Sequence, residues 1–298
     1  QDVPEVTTGT HWAYGGGGGA YGVLRNAHYF VLIYYSQVLG LDPGLAGLAV
    51  GIGLVFDAIT DPLIGYLSDS TRSRWGRRHP WLYASILPLA ASFYCLWHPP
   101  DYIEGHTLLF TWLVVCNVSV RTALTMFMVP AYAIVAELTS DYDERTRLLT
   151  GFHVVYSTFN NGMSVLMYAV WLVPTEEYAD GVMNPSGYQN AGLVGTVIIV
   201  VSLLVFTIGL RRFIPRLRQY KIDSPPSPSQ FFRQVADVFH SASARIVVLG
   251  GVLYYAGVGT FTALWVYIYS YFWEFTSEQI AIIVVPKAVA ALFLPPAI

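Results

Sequence analysis

Phe56-Asp57-Ala58-Ile59-Thr60-Asp61-Pro62-Leu63-Ile64-Gly65-Tyr66-Leu67-Ser68-Asp69 runs, after two further residues, into Arg72-Ser73-Arg74-Trp75-Gly76-Arg77-Arg78-His79-Pro80-Trp81. An apolar segment that carries two carboxylates and stops at a cluster of guanidinium groups reads as the end of a membrane span. Asp57 and Asp61 are spaced i,i+4 and therefore share one helical face. Each unpaired charge at mid-helix costs about 2.5–3.5 kcal/mol on insertion scales, so the two together cost about 5–7 kcal/mol. A cation, a proton or a basic partner has to offset that cost.

The rest of the 298-residue chain fits this reading. Hydrophobic residues make up 54% of it and charged residues 12%, whereas a soluble globular protein carries roughly 25% charged residues. Mean hydropathy is +0.49. So small a polar fraction cannot cover a water-facing surface, and a net charge of −3 with no evident free basic face disfavours nucleic-acid binding. Cys95 and Cys116 both lie in apolar runs, which leaves neither a disulfide framework nor a metal cluster. A bilayer core of about 30 Å needs about 20 mostly apolar residues per helix. Runs of that kind fall at roughly 21–41, 45–67, 81–97, 107–137, 148–173, 193–210, 246–272 and 280–298. The fold class is an all-α polytopic membrane protein.

The basic residues orient it. Arg72, Arg74, Arg77 and Arg78 lie between spans 2 and 3, and Arg145 and Arg147 between spans 4 and 5. Seven more lie between spans 6 and 7, so these loops hold 13 of the 16 Lys and Arg residues. All three loops fall on one side, which the positive-inside rule makes cytoplasmic, together with the N-terminus. The expected organisation is a cytoplasmic tail over 1–20, a six-helix bundle over 21–210, a cytoplasmic loop over 211–245, and the start of a second bundle over 246–298. The loop contains Ser-Pro-Pro-Ser-Pro-Ser (224–229), which is not regular helix. After it, Phe231, Phe232, Val235, Val238 and Phe239 repeat as a short amphipathic helix. Six spans, a long basic loop and two further spans match two joined transporter halves, so four helices are expected to be missing from the second. Asp61-Pro62-Leu63-Ile64, ending span 2, is echoed by Leu294-Pro295-Pro296-Ala297, ending span 8.

Span 4 supplies a partner for the acids in Arg121. Spans 2 and 4 run in the same direction, with Asp57 about 12 and Arg121 about 14 residues in, near 20 Å of depth for both. Contact across a central cavity is the functional reading, and local pairing with Asn117 and Thr125 is the alternative. His153, Tyr156, Asn160 and Asn161 of span 5, with Tyr21 and Asn26 of span 1, are candidate solute contacts. Helix–helix hydrogen bonding explains such amides as readily. Arg25, near the start of span 1, is within reach of the interface by snorkelling. Gly15–Gly19 reads as a flexible or close-packed lead into span 1, since it lacks the context of a phosphate-binding loop. Gly65, Asp69, Gly76, Arg77 and Arg78 form a candidate conformational gate, in which ion pairs made in one conformer separate in another. No nucleophile–base set stands out as catalytic, and no cofactor is implied beyond a coupling ion, H+ or Na+.

Gly65, Asp69 and Gly76-Arg77-Arg78 resemble the signature of the major facilitator superfamily between helices 2 and 3. Asp-Ala-Ile-Thr-Asp-Pro (57–62) with Arg-Ser-Arg-Trp-Gly-Arg-Arg-His-Pro-Trp (72–81) is similar, more narrowly, to the glycoside–pentoside–hexuronide:cation symporters. Val129-Pro130, Glu137-Leu138-Thr139 and Asp143-Glu144-Arg145-Thr146-Arg147 are similar to that family's helix 4 and its exit. The resemblance implies twelve helices, alternating access, and sugar import driven by a cation across the plasma or inner membrane, with a sugar or glycoside as partner and a monomer in the bilayer. It implies a cation site at Asp57 and Asp61. The family's acids in helices 1 and 4 do not carry over, since Tyr21 and Met128 stand near those positions. With those oxygens gone, proton coupling is expected ahead of sodium coupling, Arg121 neutralising part of the acid pair. An amphipathic-lipid carrier of the same clan and a non-transporting sensor or scaffold are the other readings.

Overall fold

The computed structural model describes residues 6–103, 105–217, 233, 237 and 240–293. Eight long helices account for most of these residues, and no strand occurs among them. They are α1 (Thr8–Ile33), α2 (Pro43–Ser70), α3 (His79–Trp97), α4 (His106–Leu138), α5 (Tyr142–Leu166), α6 (Pro185–Gly209), α7 (Ala242–Tyr267) and α8 (Ser277–Phe293). The helix starts are written locally. Asp42, just before Pro43, accepts from the Leu45 amide at 3.1 Å, and Asp141 accepts from the Asp143 amide at 2.8 Å. Pro62, Pro88, Pro130 and Pro286 lie inside helices, as neighbouring membrane helices permit.

Pro43–Ser70, His106–Leu138, Pro185–Phe213 and Ala242–Thr262 are each, taken alone, long and apolar enough to cross a membrane. Leu54, Val55, Ile59 and Leu87 are exposed apolar side chains, a surface that hydrocarbon accepts and water does not. The chain is a multi-pass membrane protein.

The boundary expected at residue 21 is corrected. The first helix begins at Thr8 and includes the whole glycine run. A Cβ on Gly18 would lie 2.3 Å from the Phe152 carbonyl oxygen, and one on Gly22 would lie 2.5 Å from that of Tyr156. The backbones of α1 and α5 touch there, and only glycine permits it. Glycine's low helix propensity makes such a run look like a lead-in, whereas tertiary packing makes it the most closely packed stretch of α1. Helix α2 continues to Ser70, three residues beyond the expected end of the span at 67, so Ser68 and Asp69 are helical as well.

The echo between the two parts of the chain extends to backbone geometry. Helices α1 and α7 both end in a π-turn, Tyr34–Val38 and Ile268–Phe272. Both are followed by a residue with positive φ, Gly40 at 74° and Glu274 at 52°. The Leu39 amide donates to Tyr34 and the Leu41 amide to Tyr35, as the Trp273 amide does to Ile268 and the Phe275 amide to Tyr269. The α1–α2 and α7–α8 pairs are thus two copies of one hairpin.

These parts meet near the end of the bundle opposite the basic loops. There the hydroxyls of Ser36 and Tyr267 lie 2.5 Å apart, Tyr29 packs on Trp265 at 6.4 Å, and Val266, Ile280 and Val284 are buried. Towards the basic-loop end, Ile246, Val247, Leu253 and Tyr254 of α7 are exposed. The linker at 224–229, most of the amphipathic segment at 231–239 and the motif at 294–297 lie outside the described residues.

Candidate functional site: a central charge network and a basic-end cluster

The structure brings Asp57 and Arg121 together between α2 and α4. The Arg121 Nη1 donates to Asp57 Oδ2 at 2.5 Å, with the two side chains 10% and 27% exposed. The local alternative is present beside it, since Arg121 Nε donates to Asn117 Oδ1 at 3.3 Å and Asn117 Nδ2 to the Ala49 carbonyl at 3.1 Å. Arg121 therefore uses local and interhelical partners at once. Gly53 makes room for it. A Cβ there would lie 2.3 Å from Asn117 Nδ2 and 2.8 Å from Arg121 Cδ.

A third helix joins through a residue the sequence reading did not select. The Arg121 Nη2 lies 3.0 Å from His28 Nε2, and His28 Nδ1 lies 2.7 Å from the Leu24 carbonyl. A carbonyl only accepts and a guanidinium only donates, so the Nδ1–H tautomer satisfies both contacts. The signal for His28 was its place in an apolar run. A helix start set at 21 hid it, because that start put His28 near the membrane surface. Asp61 stands apart from the arginine, and its Oδ1 accepts from the Thr125 hydroxyl at 2.7 Å.

The candidate solute contacts divide. Tyr21 and Tyr156 pack at 5.0 Å with their planes 37° apart, forming an aromatic wall between α1 and α5. His153 is exposed, with its Nδ1 2.9 Å from the Leu149 carbonyl of its own helix. The expectation that Asn26 and Asn160 face the solute is corrected. Asn26 is 2% and Asn160 7% exposed, and Asn26 Nδ2 donates to the Asn160 carbonyl at 3.1 Å and to Ser164 Oγ at 2.6 Å. The Asn26 amide thus holds α1 to α5 through the Asn160 backbone and Ser164, as a buried amide in a membrane bundle must find a partner, whereas the buried Asn160 Oδ1 has no hydrogen-bond partner among the described residues.

At the basic-loop end, Arg78 Nη2 donates to Asp69 Oδ1 at 2.9 Å. Arg77 and Arg78 both pair with Glu137 at the end of α4, Arg77 Nε at 3.1 Å and Arg78 Nη1 at 3.1 Å. Gly76 adopts φ +81°, which favours glycine. Gly65, named with this cluster, is not at a turn. It lies within α2, and a Cβ there would meet only Val129 at 3.7 Å. Glu137 was legible only as part of a family motif, since its burial comes from the fold. Replacing it, as Glu137→Gln, removes the carboxylate that Arg77 and Arg78 share and leaves Arg78 paired with the more exposed Asp69. A stability loss of about 3–5 kcal/mol is expected, read as a lower thermal midpoint of the purified full-length protein. An unchanged midpoint would mean that water already solvates the arginines.

A family model described as MFS/sugar transport protein matches residues 13–298. The chain belongs to that family. An uncharacterized symporter of Synechocystis is 31% identical over 80% of this chain and 42% of its own length. An inner membrane symporter of Escherichia coli is 24% identical over 76% of this chain and 46% of its own length. A putative glycoside/cation symporter of Escherichia coli is 32% identical over 49% of this chain and 32% of its own. The chain spans less than half the length of these relatives. Within the family, both the central network and the basic-end cluster fall in the helices that this chain contains.

Proposed function

We propose that the full-length protein is a secondary active transporter that moves a sugar or glycoside across the cell membrane by alternating access, coupled to protons in preference to sodium. The observation that carries this reading is the half-buried Asp57–Arg121 pair with the more exposed Asp61 beside it on the same helix face. Arg121 neutralises one carboxylate. Asp61, held only by a neutral hydroxyl among its described contacts, is left to take up and release a proton as the site alternates between the two membrane faces. Sodium, a hard cation, wants several oxygen ligands, and Tyr21 and Met128 stand where the resemblance expects two further acids. The Tyr21–Tyr156 wall suits the C–H face of a sugar ring, as aromatic pocket walls do. The basic loops orient the N-terminus to the cytoplasm. The relative named as a putative glycoside/cation symporter supports both the solute class and cation coupling.

The test is uptake of labelled glycosides into vesicles holding the full-length gene product, under an imposed pH or Na+ gradient. Accumulation driven by the pH gradient alone is expected. Sodium-driven accumulation would overturn the proton assignment. A sodium-dependent lysophosphatidylcholine symporter of Gallus gallus is 31% identical over 39% of this chain and 22% of its own length, so absence of any sugar uptake would move an amphipathic-lipid solute to first place.

A further inference from the structure

The Arg121 guanidinium reaches three helices at once. Its Nη1 donates to Asp57 on α2, its Nε to Asn117 on α4 itself, and its Nη2 meets His28 on α1 at 3.0 Å. The contact to α1 joins two groups of helices. α1 packs mainly on α5 and α6, whereas α4 packs mainly on α2 and α3. The Tyr14 hydroxyl also crosses from α1 to α4, donating to the Ala131 carbonyl at 3.2 Å further towards the basic-loop end. That acceptor is backbone, so it is indifferent to the pairing of any charged side chain.

His28 also shares its face with the candidate solute wall. Tyr21, Arg25, His28, Tyr29 and Leu32 form a half-buried stripe along the otherwise buried middle of α1, and Tyr21 is the α1 member of the Tyr21–Tyr156 wall. Positions seven apart fall on one helical face. Arg25 and His28 lie about 26 and 30 Å along α1, counted from Thr8 at about 1.5 Å per residue, in a helix whose π-turn continues to Val38. Arg25 is therefore too deep to snorkel to the surface as expected from sequence.

The histidine accepts in one form alone. Its Nδ1 lies 2.7 Å from the Leu24 carbonyl, which sets the proton on that nitrogen and leaves the Nε2 lone pair for Arg121. An imidazole supplies this acceptor without a negative charge, so it does not compete with Asp57 for the arginine. Because the guanidinium is a planar, rigid fork, Nη1 cannot leave Asp57 without moving Nη2 relative to His28. We propose that His28 is a positioning residue that couples the solute-lining face of α1 to the charge network, by accepting from Arg121 while Arg121 is seated on Asp57. A change in the arginine's pairing is then passed to the helix that carries Tyr21. The inference rests on the transport reading above and deepens it by naming the link between ion and solute.

The experiment uses full-length protein in liposomes, with labelled methyl-glucoside and methyl-galactoside as probes and two readouts. Counterflow exchange reports solute movement, and accumulation under an imposed pH or Na+ gradient reports coupling. His28→Leu is expected to lower accumulation by at least about tenfold more than it lowers exchange, as loss of a hydrogen bond to a charged group demands. His28→Gln, whose Oε1 accepts in place of Nε2, is expected to keep the two readouts in the ratio of the unaltered protein. A His28→Leu protein that loses both readouts by one factor would overturn the assignment, and so would one that accumulates normally. Uncoupling in His28→Gln would also overturn it, because an acceptor in the same place would then not suffice. His28→Phe, which keeps a ring and removes both nitrogens, repeats the test with less change in packing. If neither apolar variant folds while His28→Gln does, the contact is structural and the proposal falls. If the unaltered protein moves neither probe in either readout, the sugar-transport reading itself fails.

Discussion

Asp57→Asn and Arg121→Gln, introduced singly into the full-length protein, are each expected to abolish gradient-driven accumulation. Asp57→Asn should also lower stability by about 3 kcal/mol because it leaves the nearly buried guanidinium without its carboxylate, with a smaller loss for Arg121→Gln, whose partner is half-buried. The geometry is a 2.5 Å contact between side chains on α2 and α4, with the arginine 10% exposed. The double variant Asp57→Asn/Arg121→Gln removes both charges, and it should regain most of the lost stability while remaining inactive. Thermal midpoints of the four purified proteins form a double-mutant cycle. A double variant as unstable as the sum of the singles would show that the pair is not energetically coupled. Gly53→Ala offers an independent approach, because the added methyl falls 2.3 Å from Asn117 Nδ2 and 2.8 Å from Arg121 Cδ. It should shift the arginine and reduce transport without altering any charge.

Gly18→Val is expected to have the largest structural effect of any single substitution in α1. The added side chain would overlap backbone on α5, where the Cβ alone lies 2.3 Å from the Phe152 carbonyl oxygen and 2.8 Å from the Tyr156 amide nitrogen. A clash with backbone is not relieved by a rotamer change, so the helices must separate, at a cost of about 3 kcal/mol or more. Separation also strips the Asn26 amide of its α5 partners, the Asn160 carbonyl and Ser164 Oγ. The expected result is little folded, monodisperse protein in detergent. Gly22→Ala should give a milder loss at the same interface, and Gly65→Ala should be near neutral because its Cβ would meet only Val129 at 3.7 Å. Equal yields for Gly18→Val and Gly65→Ala would show that α1 does not pack on α5 at this distance.

Much of the candidate site was legible before any fold was known. Carboxylates and an arginine inside apolar runs are costly wherever the helices lie, so Asp57, Asp61 and Arg121 stand out from composition and spacing alone. Counting residues along two parallel spans was enough to set Asp57 and Arg121 at one depth. The Asp69 and Arg77-Arg78 cluster was visible for a similar reason, since charge at a span end is a local property. Glu137 and His28 were less legible. Their roles depend on which helix face is covered and by what, and hydropathy averages over all faces.

The sequence by itself determined that this chain crosses a membrane repeatedly, that its basic loops share one side, and that two acids and an arginine had to be reconciled inside it. These follow from the free energy of placing charge and apolar surface in hydrocarbon, which is summed residue by residue. Tertiary structure alone decided where α1 begins and therefore what it presents. Gly15–Gly19 is a poor helix by propensity, and becomes the tightest-packed part of α1 only because α5, more than a hundred residues later, brings its carbonyls against it. That contact moves Arg25 and His28 from the expected membrane surface to the middle of the span and buries Asn26. Close packing of two backbones is a property of the pair, and neither segment carries it alone.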